Sequence, residues 1–182
     1  MNLSSAIKSK ALEIGFSKIG IAKANFYKSD KLNLNSWIDK GYHGSMQWIE
    51  RRKKERANIK EYYPNAKSVI SIAMNYFTGN SSDYFSNNKI SNYAWGDDYH
   101  IVIKNKLYEL LKYIKSIDNS VHGICCVDTS PVSEKVWAQR SGLGWIGKHT
   151  NLITRDFGTW VFLGEIILDV DLEYDQPFIK DL

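Results

Sequence analysis

The stretch VHGICCVDTSP, residues 121–131, decides the fold class of this chain. Its first seven residues are nearly all apolar, which predicts a central β-strand over residues 121–127. Ser130 and Pro131 follow as a helix cap and a first helical residue, so a helix is predicted from there to about Ser141. A strand that leads into a helix is the repeating unit of an α/β domain.

The segments around this stretch alternate between helical and strand patterns. Apolar residues recur at helical spacing over 3–14 and 103–114, whereas the β-branched run 68–74 is typical of a strand. The sequence therefore predicts one α/β domain over residues 1–182, with a mixed sheet and flanking helices. Further helices are predicted for 31–40 and 46–57, strands for 17–22, 90–95, 151–153 and 160–170, and a polar surface loop for 78–88.

Composition excludes several classes of protein. Of the 182 residues, 43% are hydrophobic and 24% charged, which is ordinary for a globular domain and unlike a disordered chain. There is no run of eighteen apolar residues that could span a membrane, and no apolar secretory signal, so we expect a cytoplasmic protein without a membrane partner. The net charge of +4 suits a phosphate-rich partner.

Cysteine and histidine spacing argues against a metal site. Cys125 and Cys126 are adjacent, and neighbours on a strand point to opposite faces, so we expect small buried side chains and no disulfide. Two cysteines cannot supply the four thiolates of an iron–sulfur cluster. The histidines do not have the spacing of a zinc site, and we predict no metal ligand among His43, His100, His122 and His149.

Asp128 is the strongest candidate for a catalytic residue. It follows a predicted buried strand, and in α/β sheets ligands bind at the carboxyl ends of strands. Apolar neighbours would desolvate its carboxyl group, which favours the protonated form and suits a general acid. The alternative is an aspartate that only caps the following helix.

Three other segments carry weaker signals. SGLGWIGKHT, residues 141–150, has glycines that would let the backbone approach a ligand, although a simple turn is an equal alternative. YAWGDDYH, residues 93–100, groups aromatic, acidic and imidazole side chains, or is an ordinary helix N-terminus. RRKKER, residues 51–56, would contact phosphate or form a solvated helix face.

Five motifs in one order make a more specific pattern. They resemble, together, the N-terminal, cobalamin-binding region of epoxyqueuosine reductases. The motifs are GYHGSM at 41–46, YAWGDDYH at 93–100, VDTSPV at 127–132, GLGWIGK at 142–148 and FGTWVFLGEI at 157–166.

The resemblance implies a reaction and its cofactors. That family reduces epoxyqueuosine to queuosine in the tRNA anticodon loop, the last step of queuosine biosynthesis. It uses cobalamin and two [4Fe–4S] clusters, the latter in a ferredoxin-like domain that follows. The catalytic aspartate of the family falls on Asp128, which would donate a proton as the epoxide opens.

Binding residues are also implied by the resemblance. Lys135 would approach the tRNA backbone. Cobalamin contacts are expected from Arg52, Tyr93, Asp98, Thr129, Lys148, Thr150, Asn151 and Leu152.

The chain departs from the family pattern in three respects. Nothing corresponds to the CxxCxxCxxxCP run of the family, so we expect the iron–sulfur domain to be missing. We expect its electrons to come instead from an external donor, or from a separate chain that carries the clusters. His149 stands where asparagine is common, and Trp95 where a smaller or basic residue is frequent. The alternatives are a non-catalytic cobalamin-binding module, an inactive truncated remnant, and a flavin nitroreductase-like enzyme.

Overall fold

The structure is a computed structural model that describes residues 2–79 and 90–178, and most of the predicted 78–88 loop lies outside them. The helices are α1 (Leu3–Ile14), α2 (Lys28–Asp39), α3 (Gln47–Arg51), α4 (Lys53–Ala57), α5 (Ile59–Tyr62), α6 (Tyr99–Ile117) and α7 (Glu134–Arg140). The strands are β1 (Lys18–Lys23), β2 (Ser68–Asn75), β3 (Gly123–Cys126), β4 (Trp145–Ile146), β5 (Leu152–Ile153) and β6 (Val161–Leu168).

A four-stranded sheet in the order β1-β2-β6-β3 forms the centre of the domain. Ile21 pairs with Ile70, and Ile70 pairs with Ile166. The predicted α/β class with flanking helices is confirmed. The strand directions differ from those of a mixed sheet, because all three described pairings are antiparallel.

Helices cover both faces of this sheet. On one face α1 and α6 bury Ile7, Leu107 and Leu110 completely against Ile70 and neighbouring strand residues. On the other face α7 packs Trp137 against residues of β2 and β6. The helical stripes that the sequence shows over 3–14 and 103–114 are the buried faces of α1 and α6.

The strand predicted over residues 121–127 lies at the edge of the sheet, so its predicted central position is wrong. β3 pairs only with β6 in the described residues, and three of its four residues are half-buried. The two central strands are β2, whose first six residues are buried, and β6, whose last five residues are buried. An apolar run shows that a strand is covered, but not how many strands flank it.

Three other local predictions are wrong. The helix predicted over 46–57 is interrupted at Arg52, because only Ala57 is buried in α3 and α4, and little apolar packing holds one continuous helix. The strand predicted over 90–95 is a 3-10 turn at Asn92–Ala94. The helix predicted from Ser130 begins at Glu134, since residues 127–133 form a loop.

The hairpin of β4 and β5 accounts for part of the glycine-rich segment. A Cβ atom on Gly144 would lie 2.1 Å from the carbonyl oxygen of Ile153. The glycine is therefore required for packing within the chain, as in the simple-turn alternative. No helix within 2–79 and 90–178 combines the length and apolar character that a membrane crossing requires.

Candidate functional site

The candidate site lies where three neighbouring strands end or begin. β2 ends at Asn75, which pairs with Val161 at the start of β6, and β3 ends at Cys126, which pairs with Glu165. Asp128 comes two residues after β3. At this end of the strands, which we call the site edge of the sheet, the loop after β3 meets the segment that leads into α6.

Asp128 is held by two side chains from the start of α6. Its Oδ2 atom accepts a hydrogen bond from the Tyr99 hydroxyl at 2.9 Å and lies 3.1 Å from Nε2 of His100. The Nδ1 atom of His100 lies 2.7 Å from Oδ1 of Asp98. Because both ring nitrogens face carboxylates, the doubly protonated imidazolium satisfies both contacts as a donor.

The electrostatics of this group favour a charged His100. The hydrogen bond to Asp98 raises the pKa of His100, and the hydrogen bond to Asp128 adds to it. His100 in turn lowers the pKa of Asp98. Burial, followed by the hydrogen bond to Asp128, raises the pKa of Tyr99, so its hydroxyl remains a donor.

The environment of Asp128 differs from two expectations. Its side chain is 57% exposed, so the expected desolvation by apolar neighbours is absent. The helix-capping alternative is also wrong for this structure, because the N-cap of α7 is Ser133. The carboxylate is directed to Tyr99 and His100 instead.

The backbone at Asp128 has an unusual conformation. Its φ angle is +50°, in the left-handed region that costs a non-glycine residue about 1 to 3 kcal/mol. The Asp128 N–H donates to Oε1 of Glu134 at 2.5 Å, and the Thr129 N–H donates to the Val127 carbonyl. These bonds hold the turn that presents the Asp128 carboxylate.

Three titratable side chains near Asp128 were not among the site residues predicted from the sequence. Burial raises the pKa of Glu134 to about 7. Glu165 is fully buried, both its carboxylate oxygens lack a hydrogen-bond partner among residues 2–79 and 90–178, and burial raises its pKa well above the usual value. The guanidinium of Arg56 lies 4.9 Å from the Trp48 ring, and its buried Nε atom has no hydrogen-bond partner in the described part of the chain. An acid within the apolar run 161–168 was a signal for Glu165, since charges are rarely buried without a role. Arg56 belongs to the basic run over residues 51–56, and the sequence carries no comparable signal for Glu134.

An aromatic row of Tyr76, Phe77, Tyr99, Trp160 and Phe162 follows the site edge of the sheet. Tyr99 stacks on Phe162 at 4.2 Å with 4° between the ring planes, and Phe162 lies 4.5 Å from Tyr76. Trp160 contacts Tyr76 and Phe77 at ring distances of 5.7 and 5.0 Å. Trp160 and Phe77 are 40% and 42% exposed, so the row presents ring surface to solvent.

Several predicted cofactor residues lie around this row. Tyr93 lines a cleft of about 320 Å³ together with Tyr76 and Phe162. Asn151 and Leu152 line an adjoining cleft that shares Tyr76. Two other predicted residues lie nearer Asp128: Asp98 contacts His100, and Thr129 lines a cleft with His100.

The remaining predicted residues have other local partners. The Nζ atom of Lys135, predicted to approach tRNA, donates to the Thr150 carbonyl at 3.1 Å and to Oδ1 of Asn151 at 2.9 Å. Lys148 is exposed between β4 and β5. Arg52 donates from Nε to Glu55 and is not among the residues that line the three clefts around the aromatic row and Asp128.

The imidazole, carboxylate and thiol groups near Asp128 are not arranged as a metal site in the part of the chain that the structure describes. Within the described ranges, no three His, Cys, Asp or Glu side chains are grouped so that they could hold a metal ion. Cys125 and Cys126 are free thiols, and burial raises the pKa of each to about 12. Both thiols are therefore protonated at neutral pH.

Comparison with known proteins identifies what the chain is similar to. A family model described as epoxyqueuosine reductase QueG, DUF1730, matches residues 56–129. The epoxyqueuosine reductase of Atelocyanobacterium thalassa is 41% identical over 183 residues, which covers 99% of this chain and 59% of the relative. The chain thus spans little more than half the length of the curated relatives it matches.

Solved structures agree with this similarity. The epoxyqueuosine reductase of Streptococcus thermophilus matches with a TM-score of 0.86 and 31% identity, over 97% of this chain and 48% of that one. A second epoxyqueuosine reductase, solved with an epoxyqueuosine-modified stem loop of tRNA-Tyr, also has a TM-score of 0.86. It is 29% identical, and the match covers 99% of this chain and 48% of that one. A reductive dehalogenase described in terms of B12-dependent dehalogenation shares the fold alone, with a TM-score of 0.57 and 13% identity. The match covers 96% of this chain and 20% of the dehalogenase.

Proposed function

We propose, from the confirmed resemblance of this chain to epoxyqueuosine reductases over about half their length, that residues 1–182 form the domain in which such an enzyme reduces epoxyqueuosine to queuosine in tRNA. The observation that carries the proposal is the Asp128 carboxylate, held between Tyr99 and His100 at the site edge of the sheet. The reaction takes place in the cytoplasm, where tRNA is available.

The protonation chemistry of the proposed site follows from its hydrogen bonds. Removal of an epoxide oxygen as water, leaving a carbon–carbon double bond, consumes two electrons and two protons. Asp128 in its protonated form donates one proton to the oxygen as the ring opens, and the His100 imidazolium then returns a proton to the Asp128 carboxylate through the contact between Nε2 and Oδ2, so that Asp128 can donate the second proton as water leaves. His100, which is partly exposed, regains its proton from solvent. Asp98 holds the imidazole ring by its other nitrogen.

Cobalamin is the cofactor that the site edge would take. The exposed rings of the aromatic row fit a flat macrocycle, and hydroxyl and amide side chains beside them fit a periphery rich in amides. Bound cobalamin would supply the electron pair, which reaches it from an external donor. The residues that would hold it are Tyr93, Asp98, Thr129, Lys148, Thr150, Asn151 and Leu152. As a cofactor contact, Arg52, which does not line the clefts beside the aromatic row, is proposed only for a side chain of the cofactor.

tRNA is the proposed macromolecular partner. A relative has been solved with an epoxyqueuosine-modified stem loop, and the net charge of +4 of this chain favours a polyanion. In the basic run over residues 51–56, the exposed cations Arg51, Arg52 and Lys54 would make the phosphate contacts. Lys135 is also proposed for this role, next to the segment that it holds at Thr150 and Asn151.

Turnover with a chemical electron donor tests the proposal. Purified chain, cobalamin and titanium(III) citrate are mixed with an anticodon stem loop that carries epoxyqueuosine, and queuosine is measured by mass spectrometry. We expect product with the wild type, and a rate lower by about 100-fold or more in Asp128→Asn, the range for loss of a general acid. The matched control is Asp118→Asn, at the far end of α6, which should keep the wild-type rate.

Two outcomes would count against the proposal. Equal rates in the wild type and in Asp128→Asn would remove Asp128 from the chemistry. Cobalamin binding without product would favour the non-catalytic cobalamin-binding module, an alternative that the presence of only two cysteines keeps open.

A further inference from the structure

Glu134 makes the contact that closes the Asp128 turn. It is the first residue of α7, and its Oε1 atom accepts the hydrogen bond from the Asp128 N–H at 2.5 Å. The Asp128 backbone is in the left-handed region, which an aspartate does not favour without a local partner. The Glu134 carboxylate is the partner that this amide has.

The surroundings of Glu134 set its charge. Burial raises the pKa of Glu134, and the hydrogen bond from the Asp128 N–H opposes this by favouring the carboxylate. The nearby charge of Asp128 adds to the effect of burial, whereas Arg56 and His100 also favour the carboxylate. Glu165 of β6 is buried and has no hydrogen-bond partner within the residues that the structure describes, and the two acids interact electrostatically. The titratable and charged groups that face Glu134 from the neighbouring elements are Arg56, Tyr99, His100, Cys126, Asp128 and Glu165.

We propose that Glu134 is a positioning residue, which holds the Asp128 turn so that the Asp128 carboxylate stays in contact with Tyr99 and His100. As a part of catalysis this role rests on the proposed function of Asp128. The effect of Glu134 on the conformation of the loop does not depend on that function, because the hydrogen bonds that Asp128 makes with Tyr99, His100 and Glu134 join groups of the chain itself and include no atom of substrate or cofactor.

A simpler role for Glu134 would be to stabilise α7. An acid in the first turn of a helix interacts favourably with the helix dipole. That role would act on the helix, whereas the proposed role acts on the amide of Asp128, six residues earlier in the chain. The two roles therefore predict different results for substitutions that keep or remove the acceptor oxygen.

The experiment is amide hydrogen exchange on the full chain, followed by NMR. In Glu134→Ala we expect the Asp128 amide to exchange about tenfold faster or more, the factor that corresponds to loss of a hydrogen bond to a charged group. Glu134→Gln keeps an acceptor oxygen and should retain most of the protection. The exposed Glu109→Ala on α6 is the matched control and should not change the exchange rate.

A second readout follows the Asp128 side chain. If the turn is released, the contact between Asp128 and His100 is lost, so the pKa of His100 should fall in Glu134→Ala and recover in Glu134→Gln. Unchanged exchange and an unchanged His100 titration in Glu134→Ala would overturn the proposal. If that variant does not fold, Glu134→Asp, shorter by one methylene, must show the same loss of protection while circular dichroism shows a folded chain.

Turnover separates this inference from the proposed function. In the stem-loop assay, Glu134→Ala should lower kcat with little change in KM, and Glu134→Gln should restore it. Faster exchange at Asp128 without any turnover by the wild type would support the positioning role and contradict the proposed reaction. Turnover by the wild type, together with an unchanged exchange rate of the Asp128 amide in Glu134→Ala, would support the proposed reaction and contradict the positioning role.

Discussion

At the scale of single residues, His100 links two acids that are distant in sequence. It neighbours Asp98 in the chain, but Asp128 lies 28 residues away. The sequence indicated Asp128 by its position after a strand, and Asp98 by its motif. The contact between His100 and Asp128 depends on how α6 packs beside β3, which no local pattern encodes.

The titration of His100 tests this link. We expect its imidazole pKa to lie above the usual 6.5, and Asp98→Asn to lower it more than Asp128→Asn, because the Asp98 hydrogen bond is the larger cause. Asparagine can still accept the backbone bond from His100 and so keep the helix cap. NMR titration of the imidazole protons gives the pKa of His100 in the wild type and in the two variants. A larger fall in Asp128→Asn than in Asp98→Asn would contradict this account of the site.

At the scale of elements, prediction succeeded where apolar periodicity was long. The stripe of α6, from Ile103 to Ile114, predicted a helix that buries this face, and Gly15 ends α1 as predicted, with φ of 98°. Prediction failed for 46–57 and 90–95, which bury few side chains, so that local propensity had no packing to support it. The edge position of β3 depends on strand order, which the sequence of the strand does not contain.

The packing of α6 can be tested by one truncation. Leu107 is fully buried between α6 and the sheet. Leu107→Ala should lower the free energy of unfolding by about 2 to 5 kcal/mol, the range for large-to-small changes in a core. Ile117→Ala, at the exposed end of the same helix, should change it by about 0.5 kcal/mol or less. Urea denaturation measures both, and equal effects would show that α6 does not pack as described.

At the scale of the whole molecule, buried acids couple folding to pH. Glu134 has a pKa of about 7 in the folded chain against an ordinary 4.5, and the pKa of Glu165 is also raised. Between these values the folded state keeps protons that the unfolded state releases. Stability therefore falls as the pH rises from about 4.5 to about 7. His100, whose folded pKa is raised, contributes in the same direction as the pH passes through that value.

Removal of the buried acid Glu165 should flatten this dependence of stability on pH. Glu165→Gln cannot ionise, so we expect its free energy of unfolding to change less than that of the wild type between pH 5 and pH 8. Urea midpoints across this range provide the measurement, with the exposed Glu173→Gln as a control that keeps the wild-type slope. A Glu165→Gln slope equal to that of the wild type would show that Glu165 ionises as freely in the folded chain as in the unfolded one.

The central claim is that the aromatic row at the site edge, beside Asp128, is the cobalamin face of a reductase domain. A visible-absorbance titration of the purified chain with cob(II)alamin tests it most directly. The account predicts a saturable spectral shift at one equivalent, weakened by Trp160→Ala and unchanged by Ile117→Ala on the far end of α6. No shift, from a chain that circular dichroism shows to be folded, would contradict it.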